Sequence, residues 1–567
     1  MEKAELELGR SATSAKIFSN RTTVGIFLAS LVLYGLYILQ SLKQGATSPK
    51  AALHSYQQGN FTWTTCHGNF SCSTLEVPVD YHSENSATFN ISLIRLKATK
   101  EPYKGPLFIN PGGPGGSGVS FVLRVGDVLS RWVQGHYDII GFDPRGIGES
   151  KTIRCFNDGI ENKFFMANRP PYVGEGENPA NFAIVREALV NQCFKKSGDF
   201  LPFVSTAMVA RDLDALREAF GQEYTNYLGL SYSTFLGATY MNMFPDKVGK
   251  VVLDGVLDPR AFSGEIFGPL DSTFRHTDDV VDAFGAACEV AGPGKCALAH
   301  PDKALAINGK HYVAPTIRKF LKELALRPIL ANSTGKPFIT EADATQVLFT
   351  TTYKVVMWPD TAKAFADAIF HGDGTALANL LSSAESERCP LTEAYSLGTA
   401  PVLCIDGHHD DHNNLTAWED GIRKAGSSSP LFAPLMGWEF LSCLYWPVKA
   451  AERYAGPWNK KTSNKVLIVG ATGDPVTPVE NAKFLEELMG GSGVFFQHEG
   501  WGHCSLGQPS KCTLRTIRDY FVHGLVPKKG SGCSMETEPF EEIVETAMDD
   551  VSFSDLHRMA DAIPFFK

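Results

Sequence analysis

The run Thr225-Asn226-Tyr227-Leu228-Gly229-Leu230-Ser231-Tyr232-Ser233, continued by TFLGATYMNMF at 234–244, decides the fold. TNYLGL is a short apolar run of buried-strand type, and TFLGATYMNMF reads as helix. A strand that turns sharply into a helix exposes the residue at the turn, here Ser231. Small neighbours are needed because the turn is tight, and Gly229 and Ser233 supply them. Ser233 stands where the strict Gly-x-Ser-x-Gly pattern has its second glycine. Taken alone, the string equally suits a polar turn before a helix; the strand before it and the helix after it favour a nucleophile elbow.

Outward from the elbow the same strand–loop–helix alternation recurs. PLFIN at 106–110 runs into a Gly/Pro loop, and YDIIGFD at 137–143 runs into PRG. TAMVARDLDALREAF at 206–220 carries apolar residues at helical spacing, and KVVLDGV at 250–256 is a further buried strand. Before them, CSTLEVPVDY and TFNISLIRLKAT show partial alternation. Alternating strands and helices predict an α/β fold with a mostly parallel sheet covered on both faces. From about 260 to 460 the chain reads as helices and loops without a regular strand series. Strands return with KVLIVGATGD at 465–474 and GVFFQHEG at 493–500. The expected organisation is an α/β core at 61–260 and 461–535, interrupted by a helical cap at 261–460 and followed by an acidic tail at 536–567. The tail contains EPFEEIVETAMDD and reads either as an amphipathic helix or as a peripheral, partly disordered segment.

Three further constellations join Ser231. Asn110-Pro111-Gly112-Gly113-Pro114-Gly115-Gly116-Ser117-Gly118 has five glycines in nine residues directly after a strand. Such a loop lets backbone approach a ligand closely. It is expected to give one oxyanion-hole amide, from Gly113 with Gly112 as the alternative, and Tyr232 is expected to give the other. A phosphate-binding loop needs Gly-Lys-Ser/Thr, and no lysine occurs in this run. Asp474 lies just past the KVLIVGAT strand, and His503 just past GVFFQHEG. The chain order Ser231, Asp474, His503 is the order this fold requires. His503 is expected to move the Ser231 proton, with Asp474 holding the imidazole tautomer and stabilising the imidazolium. Arg145, in DPRG, reads as a structural ion-pair partner. His408-His409-Asp410-Asp411-His412 has metal-ligand residue types, but adjacent loop side chains rarely converge on one ion, and it reads as a solvated loop. No metal or cofactor is assigned.

INPGGPGGSG, YDIIGFDPRGIGES, GLSYSTFLG, VVLDGVLDP, GDPVTP and EGWGHC together resemble the tripeptidyl/prolyl aminopeptidase branch of the α/β-hydrolases. The resemblance spans about 66 to 533, with a TAP-like C-terminal part that carries the Asp and the His. It implies a capped α/β-hydrolase fold, no cofactor, and removal of residues or short peptides from free N-termini. The triad and oxyanion residues match the family positions; Ser233 departs from them, and the amine-recognising carboxylates are not assigned. Proximity and the resemblance suggest Cys66–Cys72, Cys155–Cys193, Cys288–Cys296, Cys404–Cys443 and Cys512–Cys533 as disulfides. Cys389 and Cys504 remain; a bridge between them would tie the cap to the His503 loop, but the sequence leaves their pairing open, and a catalytic role for Cys504 is the sharper alternative, disfavoured by a complete serine triad. An esterase, lactonase or amidase acting on a small metabolite uses the same machinery. A silent binding protein is the third class, and the intact triad argues against it.

The chain has 567 residues, too many for a single core of ordinary size. A net charge of -10 argues against nucleic acid as a partner and says nothing about which small substrate is used; the triad and the resemblance imply a short peptide or a small amide or ester. All twelve cysteines, and the sequons at Asn60, Asn69, Asn90, Asn332 and Asn414, follow one strongly apolar segment, TTVGIFLASLVLYGLYILQSL at 22–42. Its length is close to the roughly 20 residues of a spanning helix. The expectation is a cytosolic tail at 1–21, a signal anchor at 22–42 and a linker at 43–60. The catalytic part is then luminal or extracellular, with a cleaved signal and secretion as the alternative.

Overall fold

The computed structural model describes residues 61–167, 178–300, 305–307, 310–333, 335–386, 399–408, 414–541 and 551–564. The apolar segment 22–42, its flanks, Asn60, Cys389 and His409–His412 lie outside them. None of the described helices is long and apolar enough to cross a membrane. Tyr56–Tyr81 and Asn85–Lys567 form one compact unit, which holds every element discussed below. The other unit is Met1–Ser55 with His82–Glu84, of which the described residues include only His82–Glu84.

Among the described residues the main sheet has ten strands. They are β1 (Thr64–Cys66), β2 (Phe70–Pro78), β3 (Thr88–Leu96), β4 (Pro106–Asn110), β5 (Asp138–Phe142), β6 (Thr225–Leu230), β7 (Val248–Asp254), β8 (Val466–Gly473), β9 (Gly493–Trp501) and β10 (Gly532–Ser534). Their order across the sheet is β1-β2-β3-β5-β4-β6-β7-β8-β9-β10. From β5 to β10 every pairing is parallel, and β1, β2 and β3 join antiparallel. The two halves follow their sequences. Every residue of β4 and β5 is buried, because helices cover both faces, whereas β2 and β3 alternate buried and exposed positions over part of their length. This is the mostly parallel α/β-hydrolase sheet flanked by helices that the sequence predicts.

Three helices of the core border the site. α1 (Gly118–Trp132) leaves the glycine loop and is capped by Ser117, whose side chain accepts from the Ser120 amide at 2.9 Å. α2 (Thr206–Ala219) is capped by Ser205, and α3 (Ser233–Met243) leaves the elbow. Between β7 and β8 the described residues add no strand to the main sheet. The chain runs through helices from Pro259 to Tyr445, with two short hairpins, Leu305–Ile307 with Lys310–Tyr312 and Ile329–Leu330 with Phe338–Ile339. One of these helices, α4 (Thr399–Asp406), reaches the site.

The acidic tail takes the helical form within its described part. α5 (Phe553–Ala562) is opened by a Ser552–Asp555 capping box and buries Leu556, Met559 and Ala560. Arg131 of α1 pairs with Asp555 at 2.7 Å, and Arg558 pairs with Asp127 at 3.2 Å. The five disulfides among the described residues are Cys66–Cys72, Cys155–Cys193, Cys288–Cys296, Cys404–Cys443 and Cys512–Cys533, as expected. Cys504 is a free, fully buried thiol, and Cys389 lies outside the described residues. Its Sγ rests 3.4 Å from the Asp254 carbonyl, with Gly255 so close that a Cβ there would lie 2.5 Å from the sulfur. Asn69, Asn90, Asn332 and Asn414 are exposed, and Asn414 caps the helix Leu415–Gly426.

Candidate active site

The carboxyl ends of β4, β6, β7, β8 and β9 converge. Leu230 of β6 is in register with Asp254 of β7, and Asp254 with Val469 of β8, so the residues that follow these positions emerge side by side. Ser231 is the first residue past β6. Its φ is 58°, the left-handed conformation that an L residue adopts only under constraint. The constraint is visible: its amide donates to the Asp254 carbonyl at 2.9 Å, and its carbonyl accepts from Thr234 at 2.8 Å. Gly229 is needed because a Cβ there would lie 2.6 Å from the Ser233 carbonyl and from the Tyr227 ring.

Ser233 shows why the second glycine of the usual pattern is dispensable. Its side chain is fully buried, and its hydroxyl donates to Asn110 Oδ1 at the end of β4. The same oxygen accepts from the Gly112 amide at 3.1 Å. One Asn110 amide oxygen thus joins the elbow to the glycine loop. This also separates the two oxyanion candidates: the Gly112 amide is engaged, and among the described residues the amides of Gly113 and Tyr232 donate to no protein acceptor. The loop lies directly on the elbow, since a Cβ on Gly112 would sit 2.4 Å from the Leu230 carbonyl and 3.0 Å from the Tyr232 amide. The Tyr232 amide also opens α3, where unpaired helix-terminal N–H groups favour negative charge.

Asp474 and His503 meet as expected. His503 Nδ1 lies 3.0 Å from both oxygens of Asp474. The carboxylate also accepts from the amides of Val476 (3.0 Å), Thr477 (2.8 Å) and Cys504 (2.7 Å) and from the Thr477 hydroxyl (2.6 Å). Burial opposes its charge, but the His503 imidazole and these donors outweigh burial and hold its pKa below the ordinary carboxylate value. His503 is 2% exposed, and its Nε2 is buried without a hydrogen-bond partner. The imidazole is oriented from one side only, which leaves the other nitrogen for chemistry.

The sequence reading missed four contributors. Asp254, at the end of β7, bonds Ser505 in the His503 loop. Thr477 braces Asp474. Tyr353, from the helical insertion, accepts the His503 amide at 2.9 Å and places its ring 5.0 Å from the imidazole, edge-on. Asp406, the last residue of α4, accepts from the Thr206 amide and hydroxyl, and that hydroxyl bonds the Tyr232 hydroxyl. Burial pushes the Asp406 carboxyl up to about 7. Asp254 carried an earlier signal, as a carboxylate ending a predicted strand, and Thr477 lies within the GDPVTP motif; Tyr353 and Asp406 carried none.

Asp474, His503 and Cys504 also have the residue types of a metal cluster, with ligand atoms within 4.8 Å of one another. Their chemistry does not suit a cation. Burial raises the Cys504 thiol well above its ordinary pKa, and both Asp474 oxygens are already held by protein donors. Arg145 is structural, as predicted: fully buried, it holds Asp212 through Nε at 2.7 Å and Nη2 at 2.6 Å and donates to the carbonyls of Pro78, Val79 and Phe203. His408 is exposed.

Residues 105–279 match the alpha/beta hydrolase fold family, and residues 429–533 match the TAP-like protein family. The first match contains Gly112, Gly113, Ser231 and Asp254; the second contains Asp474 and His503. The chain is similar to a tripeptidyl aminopeptidase of Streptomyces lividans, 28% identical over 494 residues and covering 84% of this chain and 87% of that protein. It is similar to the serine protease Hip1 of Mycobacterium tuberculosis, 29% identical over 496 residues and covering 83% and 90%. A carboxylesterase B of Mycobacterium tuberculosis is 28% identical over 543 residues, covering 89% and 96%.

Proposed function

This chain is a serine hydrolase of the α/β-hydrolase fold with a TAP-like segment, and from that premise we propose that Ser231, His503 and Asp474 are its catalytic triad. The observation that carries the reading is a left-handed, buried Ser231 on a backbone-braced elbow, tied through Asp254 to the loop that carries His503, whose imidazole is paired with Asp474. In the reaction, Ser231 Oγ attacks the substrate carbonyl and passes its proton to His503 Nε2. The amides of Gly113 and Tyr232 receive the developing oxyanion, a contribution of about 3 kcal/mol per donor in serine hydrolases. His503 returns the proton to the leaving group, and water then hydrolyses the acyl-serine by the same steps.

The acyl group we propose is peptidic: an aminopeptidase releasing residues or short peptides from free N-termini. Two relatives bearing peptidase names support this, as do the contacts of Tyr353 and Asp406, which bring the helical insertion down onto His503 and Tyr232 and favour short substrates. The carboxylesterase relative favours a second reading, hydrolysis of a small ester. Aminoacyl-amide turnover that disappears on N-acetylation supports the first. Ester turnover without any peptide cleavage supports the second.

For location we propose a single-pass anchor at 22–42 with the catalytic part in an oxidising compartment. Five disulfides and four exposed sequons are the support. Glycosidase-sensitive mobility and alkaline-carbonate-resistant membrane association of the full chain test it.

A further inference from the structure

Asp254 is a fully buried carboxylate that the triad does not use. It ends β7, is 2% exposed, and pairs with no cation among the described residues. Its partners all belong to the two halves of the site. Its carbonyl accepts from the Ser231 amide at 2.9 Å and from the Cys504 thiol at 3.4 Å. Its carboxylate accepts from the Ser505 amide at 2.9 Å and the Ser505 hydroxyl at 2.7 Å. One residue therefore clamps the elbow, through Ser231, to the loop that carries His503, through the two residues that follow it. The contact is close-packed as well as polar. Gly255, with φ of 72°, lies against the Cys504 sulfur.

An aspartate is an expensive way to make this clamp. Burying a carboxylate without a cation carries a large desolvation penalty, and a neutral amide would accept from Ser505 nearly as well. The charge is what asparagine would lack. The titratable groups facing it are His503 and Cys504 on the loop after β9 and Asp474 after β8; β6 brings the Ser231 amide. Of these, only the imidazole of His503 becomes positive during the reaction. A fixed negative charge near it lowers the energy of the imidazolium.

We propose that Asp254 is a positioning residue of this hydrolase: it holds the His503 loop at a set distance from Ser231 and, when ionised, stabilises the imidazolium formed on His503. The inference rests on the triad proposed above. Burial, offset in part by the Ser505 donors, pushes the Asp254 carboxyl up to about 6. The support is therefore present above about pH 6 and withdrawn as the pH falls through that value.

The test uses the rate of inactivation of the full chain by a fluorophosphonate probe, measured from pH 4.5 to 8.5. In the wild type an inflection near pH 6 is expected in kinact. Asp254→Asn keeps the shape and the Ser505 contact, so KI should stay within about twofold, while kinact at pH 7.5 falls about tenfold through the lost charge, and the part of the inflection that Asp254 contributes disappears. Ser505→Ala removes a donor that favours the charged form, so it should move the inflection to higher pH. That opposite behaviour is not expected of a merely structural residue, and it serves if the Asp254 variant does not fold. Wild-type kinact and an unchanged inflection in both variants would overturn the proposal. Failure of the triad itself reads differently, as continued labelling of Ser231→Ala.

Discussion

Gly112→Ala is a one-methyl perturbation with a calculable consequence. Gly112 has φ of 94°, outside the region that L side chains occupy readily, so an alanine there costs about 1–3 kcal/mol in backbone strain alone. The new Cβ would lie 2.4 Å from the Leu230 carbonyl oxygen and 3.0 Å from both the Ser231 Cβ and the Tyr232 amide. An ordinary carbon–oxygen contact is about 3.3 Å or more, so the glycine loop must retreat from the elbow by about 1 Å. That retreat breaks the 3.1 Å bond from the Gly112 amide to Asn110 and carries Gly113 away from the place where the oxyanion forms. A displacement of 1 Å in a positioned group costs on the order of 10²-fold, and loss of one oxyanion donor costs about 10²–10³-fold. Steady-state kinetics on an activated ester should therefore show kcat down about 10²–10³-fold with a much smaller change in KM, since Ser231, His503 and Asp474 stay in place. Fluorophosphonate labelling should slow in parallel. A kcat within threefold of wild type would refute both the placement of this loop against the elbow and the assignment of Gly113 as a donor.

Asp406 makes stability depend on pH. Its carboxyl titrates near 4 in an unfolded chain and at about 7 in the folded one, where burial outweighs the donors from Thr206 and the nearby Arg453. Between those values the folded chain holds a proton that the unfolded chain has released, so this group adds stability as the pH falls from 7 towards 4 and loses it as the pH rises through 7, on the order of 4 kcal/mol in full. Thermal unfolding should show wild type gaining on Asp406→Asn between pH 8 and pH 5; an equal difference at both values contradicts this. Cys504 should resist iodoacetamide in the folded enzyme and react fully after denaturation, because the thiol is buried and its ionisation suppressed. A non-reducing peptide map that joined Cys504 to Cys389 would contradict it.

The parts of the site legible in sequence are those set by local backbone. An apolar strand followed by a Gly-rich loop or a helix marks a sheet end whatever the rest of the chain does. That is why Ser231, the glycine loop, Asp474 and His503 were readable, and why chain order could link them. Contacts made by tertiary packing left no such mark. Asp254 looks like any turn residue until β6, β7 and β8 are aligned and the Ser505 amide arrives over it. Tyr353 and Asp406 come from helices whose approach to His503 and Tyr232 no spacing encodes. The choice between Gly112 and Gly113 depended on where one Asn110 oxygen pointed. The free state of Cys504 left no mark in the sequence either, since it comes from burial against the Asp254 carbonyl.

The nucleophile is open to the most direct test. Full-length protein treated with a fluorophosphonate probe, digested and mapped by mass spectrometry should carry one adduct, on Ser231. Ser231→Ala should carry none, and His503→Ala should label at least about 10²-fold more slowly, as loss of a general base predicts. An adduct on another residue, or labelling of Ser231→Ala at the wild-type rate, would contradict the account.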